Sequence, residues 1–270
     1  MISDRPTPDA FKETAAKLRA AGTNSRKVGA EKRFKALHWV YRWGWSYPFL
    51  VDHIASPNRR GLTKKLVEQK LLTSYDCPGA GGKKGLPNSV VCLTKDGQML
   101  VESELSESEF LDQNLQDDIP WHQLYHDALV QRATGLKADL VEFRTPKEIA
   151  EKSDAGVKQA DAIWVLKSGE RIGVELELTA KKKGREFDQT ILSLIRSVNP
   201  KGNPHNLDAI ALVCRGREDG ILGSYRERLK PGKKITLWER DPSRKWVESE
   251  KHSTVPDWVA GRFSFQLIKL

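Results

Sequence analysis

The segment RIGVELELTAKKKGR, residues 171–185, alternates apolar Ile172, Val174, Leu176 and Leu178 with Arg171, Gly173, Glu175 and Glu177. A period of two marks a β-strand with one face turned to a core. Glu175 and Glu177 then project from the same side of that strand. The preceding stretch QADAIWVLKSGE carries its own apolar run and ends in turn residues, so residues 159–178 read as a β-hairpin turned at Lys167-Ser168-Gly169-Glu170. Asp161 opens the first strand. If the loop is three residues long, 168–170, Asp161 lies opposite Glu177 and on the face of Glu175; a two-residue loop puts it on the other face, because a one-residue slip flips sides. In the first geometry three carboxylates converge. Such a cluster repels itself and raises carboxylate pKa values, unless a hard cation such as Mg²⁺ or Mn²⁺ takes the oxygens as ligands. The plain alternative is a solvated pair of glutamates neutralised by Lys181, Lys182 and Lys183.

The elements around the hairpin extend the pattern. IPWHQLYHDALVQRATG predicts a helix and ADLVEF a strand. REFDQTILSLIRSV predicts an amphipathic helix, LDAIALVC an apolar central strand, GREDGILGSYRERLK a helix and KITLWE a further strand. RTPKEIAEKSDAGVK is a connection. The order α-β-β-β-α-β-α-β fits an α+β or α/β domain built on a mixed sheet. Trp164 and Trp238 fall in strands and are expected in the core.

The chain has 45 Lys and Arg against 36 Asp and Glu, a net charge of +9. Basic balance of this kind favours nucleic acid or an acidic membrane surface. No 18-residue apolar run, lipidation motif or strongly basic amphipathic helix is present, and MISDRPTPDAFKE has no secretory apolar segment, so nucleic acid and a cytoplasmic location are expected, without membrane insertion. Cys77, Cys92 and Cys214 are odd in number and form no C-x-x-C pair, which argues against a disulfide framework and a cysteine zinc site.

Residues 1–30 read as a loosely attached segment, with a short helix stopped by Gly22 and a basic linker, GTNSRKVGA. From Glu31 three helices are expected: EKRFKALHWVYRWG, SYPFLVDHIA and SPNRRGLTKKLVEQKLL, the last capped by Ser56 with Pro57 in its first turn. The strand TSYDC, the loop PGAGGKKGLPN and the strand SVVCLT follow. Three helices and a hairpin in this order describe a winged helix over residues 31–101. Trp39, Trp43 and Trp45 belong to its core or edge. Arg59, Arg60, Lys64 and Lys65 on the third helix would enter the major groove of duplex DNA, and Lys83 and Lys84 in the wing would meet the backbone. Residues 102–118 are acidic, without Lys or Arg, and read as a linker to a second domain at 119–270.

These residues together resemble the PD-(D/E)xK nuclease superfamily, whose core is αβββαβ. Asp161 matches its first acidic residue, although Ala160 replaces the usual Pro. Glu175 matches the D/E position, and Glu177 stands where a Lys is expected. DAIWVLKSGERIGVELELTAK, the helix LYHDAL and the N-terminal winged helix are most similar to the plasmid replication-relaxation family, related to MobC-type conjugative relaxases. The likeness covers about residues 30–200, and E-x-E-x-T-x-K is its most specific piece. It implies a relaxase: a metal-dependent endonuclease that nicks DNA at a plasmid origin of transfer, without covalent Tyr chemistry, working with a coupling protein and meeting single-stranded DNA at the nick.

On that reading Asp161, Glu175 and Glu177 bind Mg²⁺ or Mn²⁺, which activates water and stabilises charge on the scissile phosphate. Lys181 takes the Lys role, and His126 joins the site. His122, one turn earlier, would make an i, i+4 pair with it. Asp127, Glu142 and Gln189 are further candidates. Lys182, Lys183 and Arg185 would contact phosphate. Two rivals remain open: a plasmid replication or partition regulator that binds DNA through a degenerate nuclease domain, and a restriction-type enzyme that cuts both strands.

Overall fold

The computed structural model describes residues 25–77, 86–111, 119, 121–150, 159–179, 183–215 and 219–268. It is a mixed α and β protein of two compact units that divide at residues 119–120. No helix among the described residues is long and apolar enough to cross a membrane.

The first unit packs α1 (Ser25–Trp43), α2 (Pro48–Ala55) and α3 (Leu62–Glu68) against an antiparallel hairpin of β1 (Leu72–Asp76) and β2 (Ser89–Leu93). Ser46 bridges Val91 through two backbone hydrogen bonds of 2.9 and 2.7 Å and so adds a third short rung to the hairpin. Leu37, Val40, Leu50, Leu66 and Val91 are fully buried between these layers, and Trp39, Trp43 and Trp45 join them. Two expectations change here. The segment from Ser25 continues α1 instead of forming a linker. The third helix starts at Leu62, not near Ser56, because Asp52 of α2 caps it. One Asp52 oxygen accepts from the Gly61 N–H at 2.6 Å, and the other accepts from the Thr63 N–H and hydroxyl at 2.8 and 2.7 Å. Gly61 sits at φ 91°, a conformation costly for any other residue.

Residues expected in the acidic linker also belong to this unit. Helix α4 (Lys95–Glu102) begins at Thr94, whose hydroxyl accepts from the Gly97 N–H at 3.1 Å. Gly97 lies so close to the Leu71 carbonyl that a Cβ would stand 2.1 Å from it. A 3-10 turn, Glu107–Glu109, follows, and the Tyr41 hydroxyl accepts from the Leu111 N–H at 2.7 Å. Residues 112–118 and the wing residues Lys83 and Lys84 lie outside the described residues.

The second unit is built on a five-stranded sheet in the order β3-β4-β5-β6-β9. Strands β3 (Leu140–Arg144), β4 (Ala162–Leu166) and β5 (Arg171–Glu177) form an antiparallel meander; β6 (Ala209–Arg215) and β9 (Phe263–Ile268) continue it in parallel. A parallel β5–β6 pair needs a crossover, and α7 (Arg185–Ser197) supplies it. Its Phe187, Ile191, Leu194 and Ile195 repeat at helical spacing and pack with Ile163, Ile210 and Leu212. Helix α5 (Leu124–Gly135) precedes the meander, a short α6 (Pro146–Ala150) follows β3, and α8 (Asp219–Arg228) follows β6. KITLWE forms β7 (Lys234–Arg240) but pairs with β8 (Trp246–Thr254) in a separate hairpin, and the fifth sheet position goes to β9. The β7–β8 ladder is bulged between Thr236 and Trp238. Trp164 is core, with its indole N–H on Thr134 at 2.9 Å. Trp238 is only half-buried, and its indole N–H bonds Asp188 at 3.0 Å.

Candidate active site

Strand β5 carries the two glutamates into the interior. Glu175 is 1% exposed and Glu177 4%. The alternating sequence predicts one wet face, but β5 is the middle strand and helices cover both sides of it. The solvated surface pair is therefore excluded. An interior carboxylate must find polar partners or a cation.

The register sets the third carboxylate beside them. Leu166 N–H bonds the Glu170 carbonyl at 2.9 Å and Gly169 N–H bonds the Leu166 carbonyl at 2.8 Å, so the three-residue loop is 167–169, closed by Gly169 at φ 86°. Ala162 then pairs with Val174, and Asp161, just before β4, donates its N–H to the same Val174 carbonyl at 2.8 Å, so the expected pairing with Glu177 is not formed. The strand register is displaced by two residues from the expected one, and Asp161 lies beyond the last paired residue, where its carboxylate meets His126 of α5 while Glu177 meets Tyr225 of α8. Asp161 enters β4 at the end of the sheet where β5 leaves it, the end at which open parallel sheets carry ligand crevices.

An open cleft of about 570 Å³ lies at this end, lined among others by His122, His126, Asp127, Asp161 and Glu177. Glu175 sits one pleat deeper. The Asp161 carboxylate accepts from the Leu176 N–H at 2.7 Å and faces His126 Nε2 at 3.3 Å. His126 Nδ1 meets Asp127 at 3.0 Å. Burial alone lowers the His126 pKa, but the hydrogen bonds and charges of Asp127 and Asp161 override it and raise the value from 6.5 to about 10. The imidazole is thus a cation at neutral pH, with a proton on each nitrogen.

Glu177 is held from the other side. Tyr225 of α8, fully buried, donates its hydroxyl to Glu177 at 2.6 Å. Burial first, then the Glu177 and Glu175 charges, push the Tyr225 pKa up, so the phenol keeps its proton. Phe187 fixes the ring edge-on, with centroids 5.1 Å apart. Tyr225 lies 48 residues from its partner, and nothing local in the sequence signals it.

Three carboxylates at neighbouring positions supply the oxygen donors that Mg²⁺ and Mn²⁺ prefer. In the present side-chain arrangement they are not drawn together: among the described residues no group of three or more His, Cys, Asp and Glu side chains is placed to hold a metal ion. The donor chemistry fits; a bound cation would require Asp161 to turn from His126.

The other expected residues are distributed as follows. His122 precedes α5, which starts at Leu124, so the expected i, i+4 helical pair is not formed, although both histidines line the cleft. Glu142 is exposed at the bulge of edge strand β3 and away from the cleft. Gln189 lines a different cavity beside Arg196. Lys181 and Lys182 lie outside the described residues. Lys183 lines a second cleft, between α7, α8 and the β7–β8 hairpin, and Arg185 stacks on Trp246 of that hairpin, 4.6 Å from the ring centroid. In the first unit Lys64 and Lys65 are exposed on α3. Arg59 and Arg60 are exposed in the loop before it, with Arg60 over the Phe49 ring at 4.4 Å. Cys77, Cys92 and Cys214 are buried free thiols.

Compared with family models, curated proteins and solved structures, the chain gives no significant match.

Proposed function

We propose that the chain is a metal-dependent DNA-nicking endonuclease, with a first unit that binds duplex DNA as a winged helix and a second unit of PD-(D/E)xK type that cuts one strand. The observation that carries this reading is the burial of Glu175 and Glu177 on one strand face, with Glu177 and Asp161 lining one cleft. Two carboxylates buried on one strand, with a third at the same end of the sheet, are costly unless polar partners or a cation hold them. The antiparallel meander followed by an α7 crossover to a parallel strand supports the same superfamily likeness. The net charge of +9 supports a polyanionic substrate. On the same likeness, the substrate is a plasmid origin of transfer and the biological partner a coupling protein.

Asp161, Glu175 and Glu177 would hold Mg²⁺ or Mn²⁺, which supplies Lewis-acid stabilisation of a phosphate and activation of water. The chain's own residues do the rest. Tyr225 keeps Glu177 in one rotamer. His126, protonated at both nitrogens, offsets the carboxylate charge and can give a proton to a leaving oxygen. Lys64 and Lys65 neutralise phosphates along the duplex.

The test is nicking of a supercoiled plasmid bearing the cognate origin, in Mg²⁺, Mn²⁺ or EDTA, by wild type and by Glu175→Ala/Glu177→Ala. Metal-dependent open circles from wild type alone are expected. Linear product would replace the nicking reading by the double-strand one. A second reading, a regulator that binds without cutting, is favoured by one observation: Glu177 occupies the place of the expected Lys and is held by a phenol. Plasmid bound yet left supercoiled in every metal would give that reading the lead.

A further inference from the structure

Arg59 and Arg60 stand in the loop of residues 56–61 and not on α3, which starts at Leu62. Little is left on α3 to meet a base edge. The helix has seven residues; its exposed side chains are Lys64, Lys65 and Glu68, with Lys64 4.0 Å from Glu68. The loop, by contrast, exposes Asn58, Arg59 and Arg60 in succession. Asparagine and arginine are the side chains whose paired groups match the major-groove edges of adenine and guanine.

A loop that must be ordered on binding loses affinity to that ordering; this one is tied down in advance. Asp52 closes it at both ends: its carbonyl accepts the Ser56 N–H at 2.9 Å, and its carboxylate accepts the Gly61 N–H at 2.6 Å. Between them the Arg59 N–H bonds the Ser56 carbonyl at 3.0 Å, and Lys32 of α1 donates to the Ser56 hydroxyl at 3.4 Å. The Arg60 side chain is held as well. Its guanidinium lies 4.4 Å from the centroid of the Phe49 ring, and Nη1 donates to the Arg59 and Pro57 carbonyls at 3.3 and 3.5 Å. Phe49, in the first turn of α2, is 40% exposed. His53, one turn on, lies 8° from parallel with that ring, centroids 6.3 Å apart. Stacking uses the flat face of a guanidinium, while its donors lie along the edges. The Nε–Nη2 edge of Arg60 meets no protein acceptor among the described residues.

We propose that this loop, rather than α3, reads the DNA sequence: Arg60 takes the O6 and N7 edge of a guanine, and Phe49 is the positioning residue that holds its guanidinium in plane. A bidentate contact needs both donors aimed together, and a ring that fixes the plane supplies the aim. Lys64 and Lys65 are left to the phosphates, which position the protein without reading sequence. The inference rests on the duplex-binding reading of the first unit and adds the residues that choose the site.

The test uses the full chain in EDTA and a pool of duplexes with a randomised core between fixed arms. Rounds of binding and amplification by wild type should enrich a motif with an invariant G·C pair. Anisotropy then gives the ratio of affinities for the enriched duplex and a scrambled one. Arg60→Lys keeps the charge and loses the fork, so the ratio should fall about tenfold. Phe49→Ala should lower it about threefold, and Phe49→Tyr should restore it, because the ring face returns. A wild-type motif without such a pair overturns the proposal, and so does a ratio unchanged in Arg60→Lys. Equal losses on both duplexes by Phe49→Ala overturn the positioning role. Should Phe49→Ala lose its circular dichroism signature, Arg60→Lys in the exposed loop decides by itself. The two readings fail separately. Wild type bound to no duplex in the pool defeats the DNA-binding reading of the first unit and this one with it; an enriched motif that Arg60→Lys selects equally well defeats only the loop.

Discussion

Both units bury acidic side chains, and they do so for different reasons. Asp52 in the first unit is 6% exposed, and both its oxygens serve the start of α3, through the backbone of Gly61 and Thr63 and the Thr63 hydroxyl. Every bond it makes closes a local structural need, the orphan N–H groups of a helix start. Glu177 in the second unit takes the buried Tyr225 hydroxyl at 2.6 Å, and Glu175 lies one pleat deeper on the same strand. They share a strand face with each other and a neighbourhood with Asp161, and like charges so placed oppose folding. A buried acid whose hydrogen bonds account for its position is architecture. Buried acids that share a strand face beside a cleft offer oxygen donors to a cation.

The contrast can be broken by exchange. The largest effect is expected from Glu175→Ala/Glu177→Ala, which should lower plasmid nicking by at least ~100-fold; it also costs about 1–3 kcal/mol, because the buried Tyr225 hydroxyl loses its acceptor. Asp52→Ala should leave the nicking chemistry intact: it leaves the N–H groups of Gly61 and Thr63 without their acceptor and costs about 2–4 kcal/mol, read by urea unfolding. Glu175→Gln keeps the shape and removes one charge of the crowd. It should therefore abolish activity yet raise stability by about 1 kcal/mol; a loss of stability comparable to that of Asp52→Ala would erase the distinction between the two settings.

His126 gives a pH-dependent version of the same comparison. Its pKa is raised in the folded state from 6.5 to about 10, so the stabilisation from its proton is present in full below pH 6.5 and is lost as pH rises through 10. His126→Gln should be destabilised by on the order of 1 kcal/mol at pH 6, after allowance for solvent screening. The gap to wild type should close toward pH 10 in calorimetric scans without added metal. The smallest effect concerns the first unit alone. Lys64→Ala/Lys65→Ala should weaken duplex binding evenly across sequences and flatten the log–log salt slope by about 2, read by anisotropy.

The two hairpins repeat the lesson in aromatic residues. Trp45 and Val91 at the β1–β2 hairpin are buried and hold the first unit together. Trp246 at the tip of β7–β8 stands at the surface between arginines. Composition does not distinguish these tryptophans; burial does, since α7 packs on β7 and leaves the tip of the hairpin at the surface.

Much of the fold was legible because it is written in local periodicity. The two-residue alternation of Arg171–Leu178, the Gly169 turn and the amphipathic spacing of Phe187, Ile191 and Leu194 fixed a hairpin and a crossover helix. Helix boundaries were less legible where the cap comes from elsewhere, as Asp52 does for α3. Three things were decided only by tertiary packing. Helices on both sides of β5 turned an alternating strand into a buried one. The bonds of Asp161 to Val174 and Leu176, just before β4, turned its carboxylate toward His126. Tyr225 and His126 reached the carboxylates across gaps in sequence that carry no periodic signal. Local patterns constrain backbone conformation over a few residues, whereas the charge and partners of a buried group depend on whatever the remaining chain brings within about 3 Å of it.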